Sequence, residues 1–319
     1  MIIKKNRIGR NNSIRSDKAT SLRLTAQFFI ITVLLFAVAT VSGQQKPLRL
    51  FLIGNSFSQN ASKFLPEISA SGGHSLVIGR AELPGCELKK HWELVAINNS
   101  DPADPKGKPY GGKSLRELLS AGNWDVVTIQ QFSLLSGDSS TYQPYAFNLY
   151  KLIRQLQPNA EIVVHQTWAY RADARSFGKI MGERRAENQN EMWEKSRAAY
   201  HHLAKTFKLR IIPVGDAIQM VNMNIKWGFK KDTTFNYETA KFPDLPNQTH
   251  SLNIGYYYSK DKKITFDPNH ANDAGCYLAG LVWYQFLFKA NPKQVKFVPK
   301  TVDQKFASLL QKKAKVVKN

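Results

Sequence analysis

Two cysteines in 319 residues, Cys86 and Cys276, are too few for a disulfide-stapled scaffold, and with no Cys-x-x-Cys pair they offer no zinc knuckle. One bridge and two free thiols both satisfy the sequence. No His-Glu-x-x-His motif and no carboxylate cluster with metal-ligand spacing occurs, so neither a metal nor another cofactor is expected. Acidic residues are scarce as well, 24 against 45 Lys and Arg, a formal charge of +21. That excess is uneven. Seven of the basic residues and one acid fall within residues 1–43, leaving +15, and nine lysines with one acid fall within 289–319, leaving +7 for residues 44–288. A mildly basic domain with charged ends does not describe a nucleic-acid groove, which gathers Arg and aromatics on one face. Attraction to acidic polymers or lipid surfaces is compatible with it.

Long apolar runs are limited to one, AQFFIITVLLFAVATV at 26–41, preceded by Lys4, Lys5, Arg7, Arg10, Arg15, Lys18 and Arg23 and followed by Ser42 and Gly43. Basic, then apolar, then small is the order of a secretory signal peptide, and about 16 residues fall short of the roughly 20 a spanning helix needs. The expected organisation is a signal peptide at 1–43, a domain at 44–288 and a lysine-rich extension at 289–319. The domain is expected to be exported to a periplasmic or extracellular location, without stable membrane insertion after cleavage. The sequence is silent on oligomeric state.

Within the domain, apolar runs rich in β-branched residues recur at 48–54 (LRLFLIG), 74–79 (HSLVIG), 124–131 (WDVVTIQQ), 160–168 (AEIVVHQTW) and 209–214 (LRIIPV). Continuous rather than alternating apolar character marks strands buried on both faces. Helical patterns separate them, the clearest placing Met192, Ser196, Ala199, Leu203 and Phe207 on one stripe; another covers ANDAGCYLAGLVWYQFLF near the end. This alternation predicts an α/β fold, a three-layer α/β/α sandwich on a five-stranded parallel sheet, with chemistry at the carboxyl ends of the strands. Segments 100–113 and 228–266 break the alternation and read as surface loops.

Ser56 follows the first strand in Gly54-Asn55-Ser56, with Asn60 or Ser62 available to cap the next helix and Pro66 tolerable in a first turn. Unpaired N–H groups there would face a developing negative charge. A serine needs a base before it is a nucleophile. His74, His201, His202 and His250 lie in structural or solvated settings. His270 stands three residues after Asp267 in DPNHANDAG, at the approach to the last helix, where a carboxylate can hold Nδ1–H and leave Nε2 to accept a serine proton. Residues 107–114, GKPYGGKS, match the phosphate-loop pattern, but the preceding AINNSDPADPK holds two prolines and no strand to feed such a loop.

Gly54-Asn55-Ser56 and Asp267-x-x-His270 resemble the first and last blocks of the SGNH (GDSL-like) hydrolase superfamily. More specifically, GNSFS, PGCELKKHW, VVTIQQ and QTWAYR in this order resemble an exported bacterial branch catalogued as a domain of unknown function, over about residues 48–288. The resemblance implies a flavodoxin-like fold with Ser56 as nucleophile, His270 as base and Asp267 as its orienter. The backbone N–H groups of Ser56 and Gly85 would form an oxyanion hole. Asn55 stands where the GDSL form has Asp. The Gly-x-Asn-Asp block is replaced by Gln130-Gln131, of which Gln130 is taken as third donor and Gln131 as a substrate contact. Trp168 and Tyr170 are placed to stack on a sugar ring and suit a core role equally; His91 is a further substrate-contact candidate, with a structural role within its helix the favoured reading.

The resulting expectation is an exported serine esterase that removes short acyl groups, acetyl above all, from carbohydrate, acting on a small-molecule or polysaccharide ester. A lipid or aryl esterase is the alternative enzyme. A carbohydrate-binding module that kept the sandwich and lost catalysis is the alternative outside enzymes.

Overall fold

The computed structural model describes residues 46–317; the segment read as a signal peptide lies outside them. In chain order the elements are β1 (Leu48–Gly54), α1 (Ser56–Ser62), α2 (Leu65–Ser71), β2 (Leu76–Glu82), α3 (Leu88–Ser100), α4 (Leu115–Ser120), β3 (Val126–Ile129), α5 (Tyr145–Leu156), β4 (Glu161–His165), β5 (Lys179–Met181), β6 (Arg184–Arg185), α6 (Gln189–Phe207), β7 (Arg210–Ile212), α7 (Val214–Asn222), β8 (Asn253–Tyr258), β9 (Ile264–Ala271), α8 (Asp273–Phe288) and α9 (Gln304–Val316). The five apolar runs form one parallel sheet in the order β2-β1-β3-β4-β7. Successive strand residues point to opposite faces, and both faces are covered. Leu50, Leu52, Val163 and Ile212 join a core with α1, α2, α7, α8 and α9. Phe51, Ile53, Val127, Ile129 and Val164 join another with α3, α4, α5 and α6. The chain therefore leaves β1 in opposite directions to its two neighbours, and the carboxyl end of β1 is the switch point where such sheets hold their ligands.

Three sequence expectations change. Helix α1 begins at Ser56 itself, capped by Asn55, whose Oδ1 accepts from Phe57 N; Asn60 instead accepts from Ala271 N at 3.1 Å, and Pro66 sits in the first turn of α2. Segment 228–266 is not all loop, because β8 and β9 pair as an antiparallel hairpin and β9 carries both Asp267 and His270. The lysine-rich end is part of the body. Phe306, Ala307, Leu310 and Ala314, at helical spacing, bury one stripe of α9 in the first core, while the lysines take the other side. With α9 on its outer side, α8 is buried almost all round, which its apolar sequence requires. Among the described residues no helix is long and apolar enough to cross a membrane.

Candidate active site

Gly54 ends β1 where space is minimal: a Cβ there would lie 2.5 Å from Ser58 Oγ and 3.1 Å from the Gln130 side chain. Asn55, fully buried, then ties three chain segments together. Its Oδ1 accepts from Phe57 N at 3.0 Å and from Gln130 Nε2 at 2.7 Å, and its Nδ2 donates to Cys86 O at 2.9 Å. A carboxylate could not make the last of these bonds, which explains Asn where the GDSL form has Asp. Behind it, His165 Nδ1 donates to Gln130 Oε1 at 2.6 Å. Burial keeps that imidazole neutral, pushed down to about 3.

The turn sets Ser56, half-buried, at the first position of α1. His270 Nε2 lies 2.8 Å from Ser56 Oγ, and His270 Nδ1 donates to Asp267 Oδ2 at 2.8 Å. Asp267 Oδ1 also accepts from the N–H groups of Asn269 and His270, each at 3.0 Å. Desolvation works against the ionised Asp267, but the His270 ring and these backbone donors outweigh it and hold the carboxyl below its ordinary range. The arrangement brings together residues 214 positions apart, with the imidazole tautomer fixed for taking a proton from the hydroxyl.

The QTWAYR segment holds this imidazole rather than touching a substrate. Trp168, 1% exposed, stacks on Phe57 at 4.3 Å and donates from Nε1 to Asn269 O at 2.9 Å. Arg171 N donates to Pro268 O at 2.9 Å. The Arg171 guanidinium forms a two-pronged ion pair with Asp173 at 2.7 and 2.8 Å, with both side chains 2% exposed. It also donates to Gln248 Oε1 and lies 5.1 Å from the Phe266 ring centre. Gly255, with φ +73°, opposes Asp267 across the hairpin; a Cβ there would come 1.9 Å from Arg171 Nη1. Tyr170 is buried, its hydroxyl 3.1 Å from Ser133 Oγ. The stacking and substrate roles assigned to Trp168 and Tyr170 are thus corrected: tight packing leaves neither ring face free.

Gln130 and Gln131 need the same correction, and of the two readings of His91 the structural one holds while the substrate contact does not. His91 is buried under β1, donating from Nε2 to Gly54 O at 3.0 Å and accepting from the Tyr110 hydroxyl at 2.7 Å; burial pushes it down to about 4. Gln130, 1% exposed, is committed between Asn55 and His165, so it does not serve as the third oxyanion donor. Gln131 is sealed too. Its Oε1 accepts from Leu88 N and Phe132 N, and its Nε2 donates to Thr141. Buried amides must satisfy all their polar atoms, and here the scaffold does so.

Gly85 follows β2 with φ +59°, exposed and hard to replace by an L residue. It lines a cavity of about 420 Å³ with Leu83, Phe132, Leu134, Leu135 and Lys90. Asn55 takes up the next N–H groups of α1, accepting from Phe57 N on its side chain and from Ser58 N on its carbonyl, which leaves Ser56 N and Gly85 N, with no acceptor among the described residues, as the donors open to an oxyanion. Cys86 and Cys276 are free buried thiols, each pushed up to about 12 by desolvation. The GKPYGGKS segment is a turn closed by Tyr110 and Lys113, and Ser114 caps α4 in a reciprocal bond with Glu117. No strand feeds it. Among the described residues no group of three His, Cys, Asp or Glu side chains could hold a metal.

The parallel sheet ordered β2-β1-β3-β4-β7, with serine at the exit of β1 and Asp-x-x-His just before α8, is the three-layer α/β/α arrangement that the sequence resemblance implied. The chain belongs to the family described as domain of unknown function (DUF4886), whose model matches residues 49–244. The matched span ends before the hairpin that carries Asp267 and His270. A DUF4886 family protein from Bacteroides uniformis superposes with a TM-score of 0.62 at 23% identity, covering 84% of this chain and 93% of its own. A provisional SGNH hydrolase from Slackia heliotrinireducens gives 0.45 at 17% identity over 75% of this chain and 98% of its own. A provisional GDSL-like lipase from Parabacteroides merdae gives 0.44 at 12% identity over 77% and 97%. A search of the curated proteins finds no match.

Residues that the sequence reading passed over are the ones holding the site: Asn55 as a tie between segments, His165 behind it, and Arg171 with Asp173. Glu82 is another, its side chain 3% exposed at the end of β2, where it meets Ser58 and Arg80. Arg171 and Asp173, two apart beyond a strand, carried the one usable signal.

Proposed function

We propose that this protein is an exported serine esterase that removes short acyl groups, acetyl among them, from carbohydrate. The observation that carries the reading is the relay from Asp267 through His270 to Ser56, each bond 2.8 Å. His270 Nε2 takes the Ser56 proton as Oγ attacks the ester carbonyl, and the resulting oxyanion meets the N–H groups of Ser56 and Gly85. Collapse breaks the ester C–O bond, and His270 returns its proton to the departing alcohol. Water, deprotonated by the same nitrogen, then releases the carboxylic acid. Each N–H donor is worth on the order of 3 kcal/mol in the transition state.

The cavity beside Gly85 supports a short acyl group, since it opens next to the proposed oxyanion site and is walled by Leu83, Phe132, Leu134 and Leu135. Export rests on the basic and apolar start of the sequence. Turnover of p-nitrophenyl acetate tests the reading: wild type is expected to hydrolyse it, and Ser56→Ala to lose on the order of 10⁴-fold or more. Equal rates in the two proteins would remove the nucleophile, and binding of sugar without turnover would favour the non-catalytic module.

A further inference from the structure

The hairpin that delivers His270 also builds a second concave surface. A cleft of about 660 Å³ is lined by Arg175, Tyr237, Tyr256, Ile264 and Phe266. Tyr256 and Phe266 face each other across β8 and β9 with rings stacked at 4.2 Å, and Tyr237, 40% exposed, lies 5.0 Å from Tyr256. The three rings make a continuous wall, with Ile264 its one aliphatic member. Arg175 is exposed at this cleft and has no carboxylate partner among the described residues, unlike Arg171, whose charge Asp173 neutralises. The adjoining hairpin turn is exposed and basic, with Lys260, Lys262 and Lys263 against Asp261. Phe266 is four residues from His270 on β9, about 13 Å along an extended strand. A linked chain of sugars spans that distance; one acetylated monomer does not.

We infer that this cleft is a subsite for an acidic polysaccharide, binding a uronic-acid residue of the chain whose ester is presented to Ser56. The inference rests on the esterase reading and names its substrate class. Aromatic faces cover the apolar faces of sugar rings, and a free guanidinium meets a carboxylate with two parallel hydrogen bonds. Tyrosine hydroxyls and the near absence of aliphatic surface favour a glycan over a lipid layer.

Binding to the Ser56→Ala protein separates this claim from catalysis. Galacturonic-acid oligomers and neutral xylose oligomers of equal length are titrated by intrinsic fluorescence at low and high salt. The acidic oligomers are expected to bind about tenfold more tightly, with the advantage lost in Arg175→Gln and at high salt. Tyr237→Ala is expected to weaken both by about three- to tenfold. Both substitutions should leave p-nitrophenyl acetate turnover of the otherwise wild-type protein unchanged. Equal affinity for the two oligomers, no binding of either, or binding only to anionic phospholipid vesicles would overturn the subsite. Loss of Ser56-dependent turnover with oligomer binding intact would instead sink the esterase reading alone.

Discussion

The serine and the histidine reach the same point with very different support. Ser56 leaves a strand paired on both sides, and the five residues before it are buried and tied through Asn55 and Gln130 to the segments after β2 and β3 and through His91 to α3. His270 rides a two-stranded hairpin outside the main sheet, where residues 264–270 are all half-buried. Its position is borrowed from the Trp168 indole, which donates to Asn269 O, from the Arg171 backbone N–H, which donates to Pro268 O, and from the Arg171 guanidinium, which ties Asp173 and Gln248 together beside Phe266. Geometry at the serine end is a property of the sheet. At the histidine end it depends on a few side chains, and damage to them should show in the chemistry.

Removing Arg171 gives the widest separation between the ends. Arg171→Ala leaves Asp173 buried and unpaired, an expected cost of about 3–5 kcal/mol in stability measured by urea unfolding. In the folded fraction kcat should fall about 100-fold, because a displacement near 1 Å at a catalytic group has that effect. An unchanged kcat would mean that the hairpin holds His270 without help.

The serine end should reveal itself in acid. Burial pushes His91 down to about 4 from an unfolded value near 6.5, so the unfolded chain binds the extra proton between those values. The stability from neutral His91 is therefore complete above pH 6.5 and is lost as pH falls toward 4, by about 3 kcal/mol. His165 acts with the same sign and over a wider window, being pushed to about 3. Urea unfolding at pH 7.5 and 4.5 should show His91→Asn less pH-sensitive than wild type by about that amount. Equal slopes would contradict the assigned burial.

Asn55→Asp is the gentlest of the three. The carboxylate keeps the bonds from Phe57 and Gln130 but faces Cys86 O with no proton to give, an expected loss of about 1–3 kcal/mol in stability. Full stability in that variant would mean that the GDSL aspartate fits this turn equally well.

This contrast also explains what the sequence disclosed. The sheet was legible because both its faces are buried, which writes unbroken apolar runs at β1, β3 and β4. Ser56, Asp267 and His270 were legible as local patterns at strand and helix ends. The hairpin was not, since NIGYYYSKDKKITFDPNHA mixes lysines, a proline and half-exposed aromatics without alternation. The lysine-rich helix α9 was hidden by its charge count, which outweighed the stripe from Phe306 to Ala314. Gln130 and Gln131 were found near the site but misassigned, and Trp168, Tyr170 and His91 take the structural alternative rather than substrate contact. Their residue types suit substrate contact, and only packing reveals that each is consumed inside the protein.

The central claim, that His270 activates Ser56 as a nucleophile, is tested most directly by intact-mass and peptide mapping after treatment with a p-nitrophenyl alkylphosphonate. One covalent adduct on Ser56 in the wild-type protein, and its near absence in His270→Ala, is the expected result. An adduct on another residue, or equal labelling of Ser56 in both proteins, would contradict it.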